Sequence, residues 1–168
     1  PKAASLSSTS FLVEDFEPER LAFEVSAEDG PFETGVVTEI DVAATYLYGA
    51  TAPGLAIEAD AIIRPVKTLA GFPGYRFGRL DDTIETSRQP LGVVGTTDAA
   101  GHAVAEVVLP ESQATTRPLQ AQLLLRLVDT NGRSIERSIS RPVLASGDRI
   151  GIKPVFGDAS GLAEGSEA

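Results

Sequence analysis

The chain contains no cysteine, no methionine and no tryptophan, and only one histidine, His102. Without cysteine, these 168 residues can hold no disulfide framework, thiolate zinc site, cysteine nucleophile or thioester. A single imidazole leaves zinc with carboxylates for its other ligands and leaves a nucleophilic serine or threonine with one candidate base. No Gly-x-Ser-x-Gly elbow is present, and His102 falls where a turn meets a strand, so it reads as structural or solvated rather than catalytic. Phosphate cradles are missing as well, because Gly71, Gly74 and Gly78 precede neither Lys-Ser/Thr nor a helical pattern. No run approaches the ~18 apolar residues of a membrane helix, and no basic-then-apolar segment opens the chain, so direct membrane insertion is not expected. Positive charge is scarce: 14 Lys and Arg face 24 Asp and Glu, for a net charge of −10. Within residues 11–145 there are eleven basic and twenty acidic side chains, so the acidity belongs to the main body, and no nucleic-acid partner is expected.

A core is expected nonetheless. Leu, Ile, Val and Phe supply 46 of the 168 residues, above the ~20% below which charged chains stay unfolded. The length suits one domain with flanking pieces, and an opening Pro1 in place of Met suggests a processed product or an excised part of something longer. Period-two alternation dominates, and no long helix is expected anywhere. After the small, polar Pro1–Ser10, a short strand is expected at Phe11-Leu12-Val13, stopped by Pro18. Leu21, Phe23 and Val25 share one face of the next strand, and Ile40, Val42, Ala44 and Tyr46 one face of another. Leu55, Ile57, Ala59, Ala61 and Ile63 define a strand expected to pair with its predecessor as a hairpin. From Lys67 to Pro90 the alternation fails, which predicts a loop with one short strand near Gly74–Leu80. Val93-Val94 and the turn Thr97–Gly101 lead into a strand His102–Leu109. Leu119, Ala121, Leu123, Leu125 and Leu127 alternate with Gln120, Gln122 and Arg126, and Asp129-Thr130-Asn131-Gly132 predicts a hairpin into Ile135, Ile139 and Val143.

About seven strands punctuated by Gly, Pro and Asn predict an all-β, antiparallel seven-stranded β-sandwich of fibronectin type III or immunoglobulin kind, covering roughly residues 11–144. Other chemistry is thin. The paired carboxylates Glu14/Asp15 and Asp81/Asp82 read as solvated loop positions, because neighbours on a strand point to opposite faces. Asp129–Gly132 lacks the spacing and closing Glu of a calcium loop. Phe72, Tyr75 and Phe77 allow a sugar-stacking platform, with loop packing as the stronger reading.

Three segments together resemble the bacterial α2-macroglobulins. Phe11–Leu21, with Phe16 and Pro18 at its centre, is similar to the family's domain junction, where the last strand of one macroglobulin domain runs into the next. Thr45-Tyr46-Leu47-Tyr48-Gly49-Ala50 followed by Ala52-Pro53-Gly54 resembles its Tyr-x-Tyr-Gly-x-Pro hairpin, with Pro53 displaced from the commonest pattern. Thr97-Asp98-Ala99-Ala100-Gly101 and Ile150–Phe156 are similar to later signatures of the bacterial branch.

The resemblance implies a macroglobulin domain equivalent to the third of the animal proteins. On that reading residues 1–17 are a linker and the last strand of a preceding domain, 18–145 the sandwich, and 146–168 a linker and the start of a truncated following domain. It implies a non-catalytic module of a protease trap, without cofactor or catalytic residue, whose bait region and thioester lie elsewhere in the parent. Phe16, Pro18, Tyr46, Tyr48, Gly49 and Gly54 become the structural and junction residues. The implied partners are neighbouring macroglobulin domains, proteases through the parent, and a peptidoglycan-synthesising penicillin-binding protein. The implied location is the periplasm or cell envelope. Rival readings are an immunoglobulin-like repeat of a bacterial adhesin, a carbohydrate-binding module using Phe72, Tyr75 and Phe77, and, last, a small enzyme.

Overall fold

The computed structural model describes residues 21–129 and 132–154. Nine strands are described: β1 (Leu21–Ser26), β2 (Val37–Tyr46), β3 (Ala56–Pro65), β4 (Arg76–Phe77), β5 (Ser87–Thr96), β6 (His102–Val108), β7 (Leu119–Val128), β8 (Ser134–Pro142) and β9 (Gly151–Ile152). Seven of them build the expected sandwich, as a three-stranded sheet β1-β2-β6 facing a four-stranded sheet β5-β3-β7-β8, while β4 and β9 pair separately. All strand pairs are antiparallel.

The alternating pattern decides the packing. In β7, Leu119, Ala121, Leu123, Leu125 and Leu127 are buried, while Gln120, Gln122 and Arg126 interleave on the other face. A helix would have placed those polar groups in the core, so the period of two selects the strand. Phe23, Ile40, Val42, Ala105 and Val107 of the opposing sheet fill the other half of the same cluster. One flank is closed by β5 against β6 and the other by β1 against β8, where the Arg137 guanidinium lies 5.4 Å from the centre of the Phe23 ring. Phe32 fastens that flank further: its N–H donates to Pro142 O at 2.8 Å, and its carbonyl accepts from Leu144 N at 2.8 Å.

Two expectations require correction. First, β2 and β3 do not form a hairpin, because β2 pairs with β1 and β6 while β3 pairs with β5 and β7. Alternation identifies a strand's buried face and not its neighbour, and here the connection crosses from one sheet to the other. Second, the loop expected up to Pro90 ends earlier, since β5 already begins at Ser87. This edge strand is exposed along most of its length and its pairing with β3 is irregular at two places, which erases the alternating signal. Pro90 is tolerated because an edge strand has a side with no ladder to supply. Gly151–Ile152, in the segment read as leading toward a following domain, pairs with Arg76–Phe77. The hairpin between β7 and β8 is as expected, with Gly132 at φ 78°. The expected strand at Phe11–Val13 lies outside the described residues.

On the outer face of the larger sheet one carboxylate is buried. Asp60, 3% exposed, is flanked by Arg88 from β5 and Arg126 from β7, with Arg126 Nη1 at 3.0 Å. Hydrogen bonds from Arg126 hold the Asp60 carboxyl below its usual range, against the upward push of burial, and Arg88 assists. A depressed native pKa makes the contribution complete above the unfolded value of ~3.9 and removes it as pH falls through the native value. Asp60→Asn is therefore expected to cost about 1.5–3 kcal/mol at pH 7, with the gap from the parent sequence closing toward pH 3, as read by urea unfolding at the two pH values.

Candidate functional site at the crossover end

Two of the segments singled out in the sequence meet at one end of the sandwich. The chain leaves β2 at Tyr46, makes a tight reversal in which Tyr46 N–H donates to Ala50 O and Gly49 N–H to Tyr46 O, each at 2.8 Å, and crosses to the other sheet through Ala52–Leu55. Gly49 and Gly54 take φ values of 92° and 72°, where a side chain would be strained although space is open around both. The Tyr46 and Tyr48 rings stack at 5.2 Å with 10° between their planes. Tyr46 is half-buried, whereas Tyr48 is 75% exposed and Leu47 64%. Leu21, the first described residue, pairs with Tyr46, so this tyrosine pair flanks the place where the chain runs into β1.

The Thr97–Gly101 turn holds this crossover in position. Thr97 is buried, and its hydroxyl donates to Ala52 O at 2.7 Å while accepting from Leu55 N at 2.9 Å. Its backbone adds two more links, Gly54 N to Thr97 O at 2.9 Å and Thr97 N to Leu55 O at 3.0 Å. Asp98 closes the turn on itself: Oδ1 accepts from Ala100 N at 2.8 Å and His102 N at 2.9 Å. Those two backbone hydrogen bonds, His102's first, lower its pKa, so the cap is a carboxylate at neutral pH. Gly101 O then accepts from Ala44 N at 2.8 Å. A Cβ on Gly101 would stand 2.2 Å from Ala44 O, and φ is +83°, so only glycine lets the turn approach the strand.

The other candidates do not converge on a common site. The His102 side chain is exposed. Asp82 Oδ2 accepts from Thr115 Oγ1 and Thr116 N at 2.8 Å and from Thr116 Oγ1 at 2.9 Å, which ties two loops together and keeps its pKa far below the usual range. Asp81 pairs with Arg79, its neighbour two residues back, and its pKa too is lowered, first by that hydrogen bond. Two carboxyls held ionised in this way offer no general acid near neutral pH. Phe72 meets Tyr75 at 87° and Phe77 at 79°, Phe77 is buried, and Lys153 Nζ lies 5.8 Å from the Tyr75 ring centre. Phe72 stands edge-on to both other rings, while Tyr75 and Phe77 are tilted by 35°, so the three rings do not form one flat surface. No group of three or more metal-ligating side chains occurs among the described residues. Glu14, Asp15, Phe16 and Pro18 lie outside them. The sequence reading missed the Thr97 hydroxyl as the linchpin of the crossover; the Thr-Asp-x-x-Gly pattern marked the turn but not what it touches.

Fold and site together define a two-sheet β-sandwich module whose crossover loops are held by its own polar groups. Comparison with known proteins agrees and is more specific. Residues 19–144 match the family model described as the bacterial alpha-2-macroglobulin MG5 domain. The chain is 31% identical over 151 residues to an alpha-2-macroglobulin of Xylella fastidiosa and 32% identical over 154 residues to that of Escherichia coli K12, each match covering 89% of this chain and 9% of the relative. Among solved structures it resembles Escherichia coli alpha-2-macroglobulin activated by porcine elastase, with TM-score 0.66 and 26% identity over 85% of this chain and 13% of that one. The chain belongs to the bacterial alpha-2-macroglobulin family, and spans about 9% of the length of the curated relatives it matches. The domain count of three, taken from the animal proteins, stands beside the matched MG5 of the bacterial series.

Gly101→Ala is expected to destabilise the chain by at least about 3 kcal/mol, from overpacking and backbone strain together, while Ala99→Gly stays within about 1 kcal/mol. Thr97→Val keeps the shape but strips Ala52 O and Leu55 N of their partner, for about 2–3 kcal/mol. Calorimetric melting of the three variants checks both expectations.

Proposed function

We propose that this chain is a non-catalytic structural module of a bacterial α2-macroglobulin-like protease trap. The observation that carries the reading is the crossover end: the Thr97 hydroxyl, Asp98 Oδ1 and Gly101 O are each engaged by backbone of the same end, which spends them on holding the loops together. Such a site transmits and maintains shape. Structures of the Escherichia coli relative activated by elastase and by trypsin support proteases as what the parent meets.

On this reading Tyr46, Tyr48, Gly49 and Gly54 form the surface beside the junction to the preceding domain, with Phe16 and Pro18 in the junction itself. Residues 18–145 are the module, and 1–17 and 146–168 belong to its connections. The parent would work in the periplasm or cell envelope, with a penicillin-binding protein among its partners. Residues exposed for packing rather than for fold should reveal themselves by where a substitution acts. Tyr48→Ser is expected to leave the melting temperature of the 168-residue chain within about 1 °C and to lower that of the parent, where the ring has a neighbour.

The functional test uses the parent protein and several unrelated proteases, following native-gel mobility and intact mass together. Limited cleavage with faster migration and a retained protease is the expected result. Ordinary fragmentation without compaction would overturn the trap.

A further inference from the structure

Strand β2 is ten residues long, yet β1 covers only part of it. Their register runs from Leu21↔Tyr46 to Ser26↔Asp41, so Val37–Ile40 have β6 on one side and no strand on the other. The chain leaves β1 at Ala27, swings out to Phe32, and returns into β2. Between that arm and the uncovered edge lies an open groove, lined by Glu28, Glu33, Val36, Val37, Glu39 and Asp41. Val36 and Val37 are about half exposed, at 49% and 55%. Among the described residues no Lys or Arg pairs with Glu28, Glu33, Glu39 or Asp41; the nearby Asp29 is paired with Arg141 at 3.2 Å. Glu39 also stands directly opposite Glu106 of β6, a like-charge pair that weakens the sheet on its own. The larger sheet does the opposite, setting Arg88 and Arg126 around Asp60.

An uncovered strand edge is a template for one more strand. Main-chain hydrogen bonds then supply affinity, and the side chains flanking the groove select the guest. We propose that this groove binds an extended basic polypeptide segment, which adds beside Val37–Ile40 in line with β1. Val37, Glu39 and Asp41 share the exposed face of β2, so Lys or Arg side chains on that face of the segment meet Glu39 and Glu33, while the apolar residues between them turn to the face that carries Ile40. A cation brought to Glu39 from that side offsets the repulsion between Glu39 and Glu106.

The test titrates a capped hexapeptide of alternating Lys and Val into the 168-residue chain, with a Glu and Val counterpart as control, and reads calorimetry and amide hydrogen exchange. Saturable binding of the basic peptide at low salt, with exchange slowed about tenfold or more within Val37–Ile40, is expected, together with loss of affinity at 0.5 M NaCl. The double variant Glu33→Gln/Glu39→Gln should weaken binding about tenfold or more while its melting temperature holds or rises, because a like-charge pair has been removed. Equal binding of the acidic peptide, undiminished binding by the double variant, unchanged exchange at 37–40, or no saturable binding up to about 1 mM would each overturn the proposal.

Discussion

The two sheets share an apolar interior but no ladder of hydrogen bonds, and everything else in the structure depends on how they are kept in register. Apolar contact between Phe23, Ile40, Val42 and the leucines of β7 is strong but has little direction. Direction comes from a few backbone links where the chain changes sheets. Thr97 ties the β2–β3 crossover to the end of β5, Gly101 docks its turn on Ala44, and Phe32 fastens the start of the β1–β2 connection to the end of β8. These contacts are few, buried or close, and specific in geometry, so they set where the two leucine- and valine-rich faces meet.

A module of this kind has its polar chemistry turned inward on itself. Asp60 lies between arginines, Asp82 binds threonines of a second loop, and Asp98 caps a turn. Each carboxylate has the features that elsewhere signal a working site, namely a shifted pKa and convergent donors, yet in each case the donors belong to the fold. Membership of the bacterial alpha-2-macroglobulins fits that economy, since the matched domain is a small share of a much longer chain. The exception is the acidic groove beside β2, where carboxylates have no cation and a strand has no partner.

Much of the fold was legible in the residues. The alternation of β2, β3 and β7 placed their buried faces correctly, Asp129–Gly132 marked the hairpin between β7 and β8, and Thr97–Gly101 marked a turn. Less legible were the features that depend on distant neighbours. An edge strand with bulges has no face to alternate, so β5 was hidden apart from Val93-Val94. The pairing of Gly151–Ile152 with Arg76–Phe77 joins segments far apart along the chain, and two residues are too short to carry a pattern.

What the sequence determined by itself was the class of structure: strands rather than helices, one apolar face on β2, β3 and β7, no thiol chemistry, and an acidic balance. Periodicity and composition are local properties, readable residue by residue. Only the tertiary structure decided which strand lies beside which, that β2 and β3 belong to opposite sheets, and that the Tyr46–Gly54 crossover and the Thr97–Gly101 turn are one site. The reason is physical: a strand's pattern records that one side is buried, while its neighbours are chosen by crossover geometry and by hydrogen-bond partners more than forty residues away along the chain.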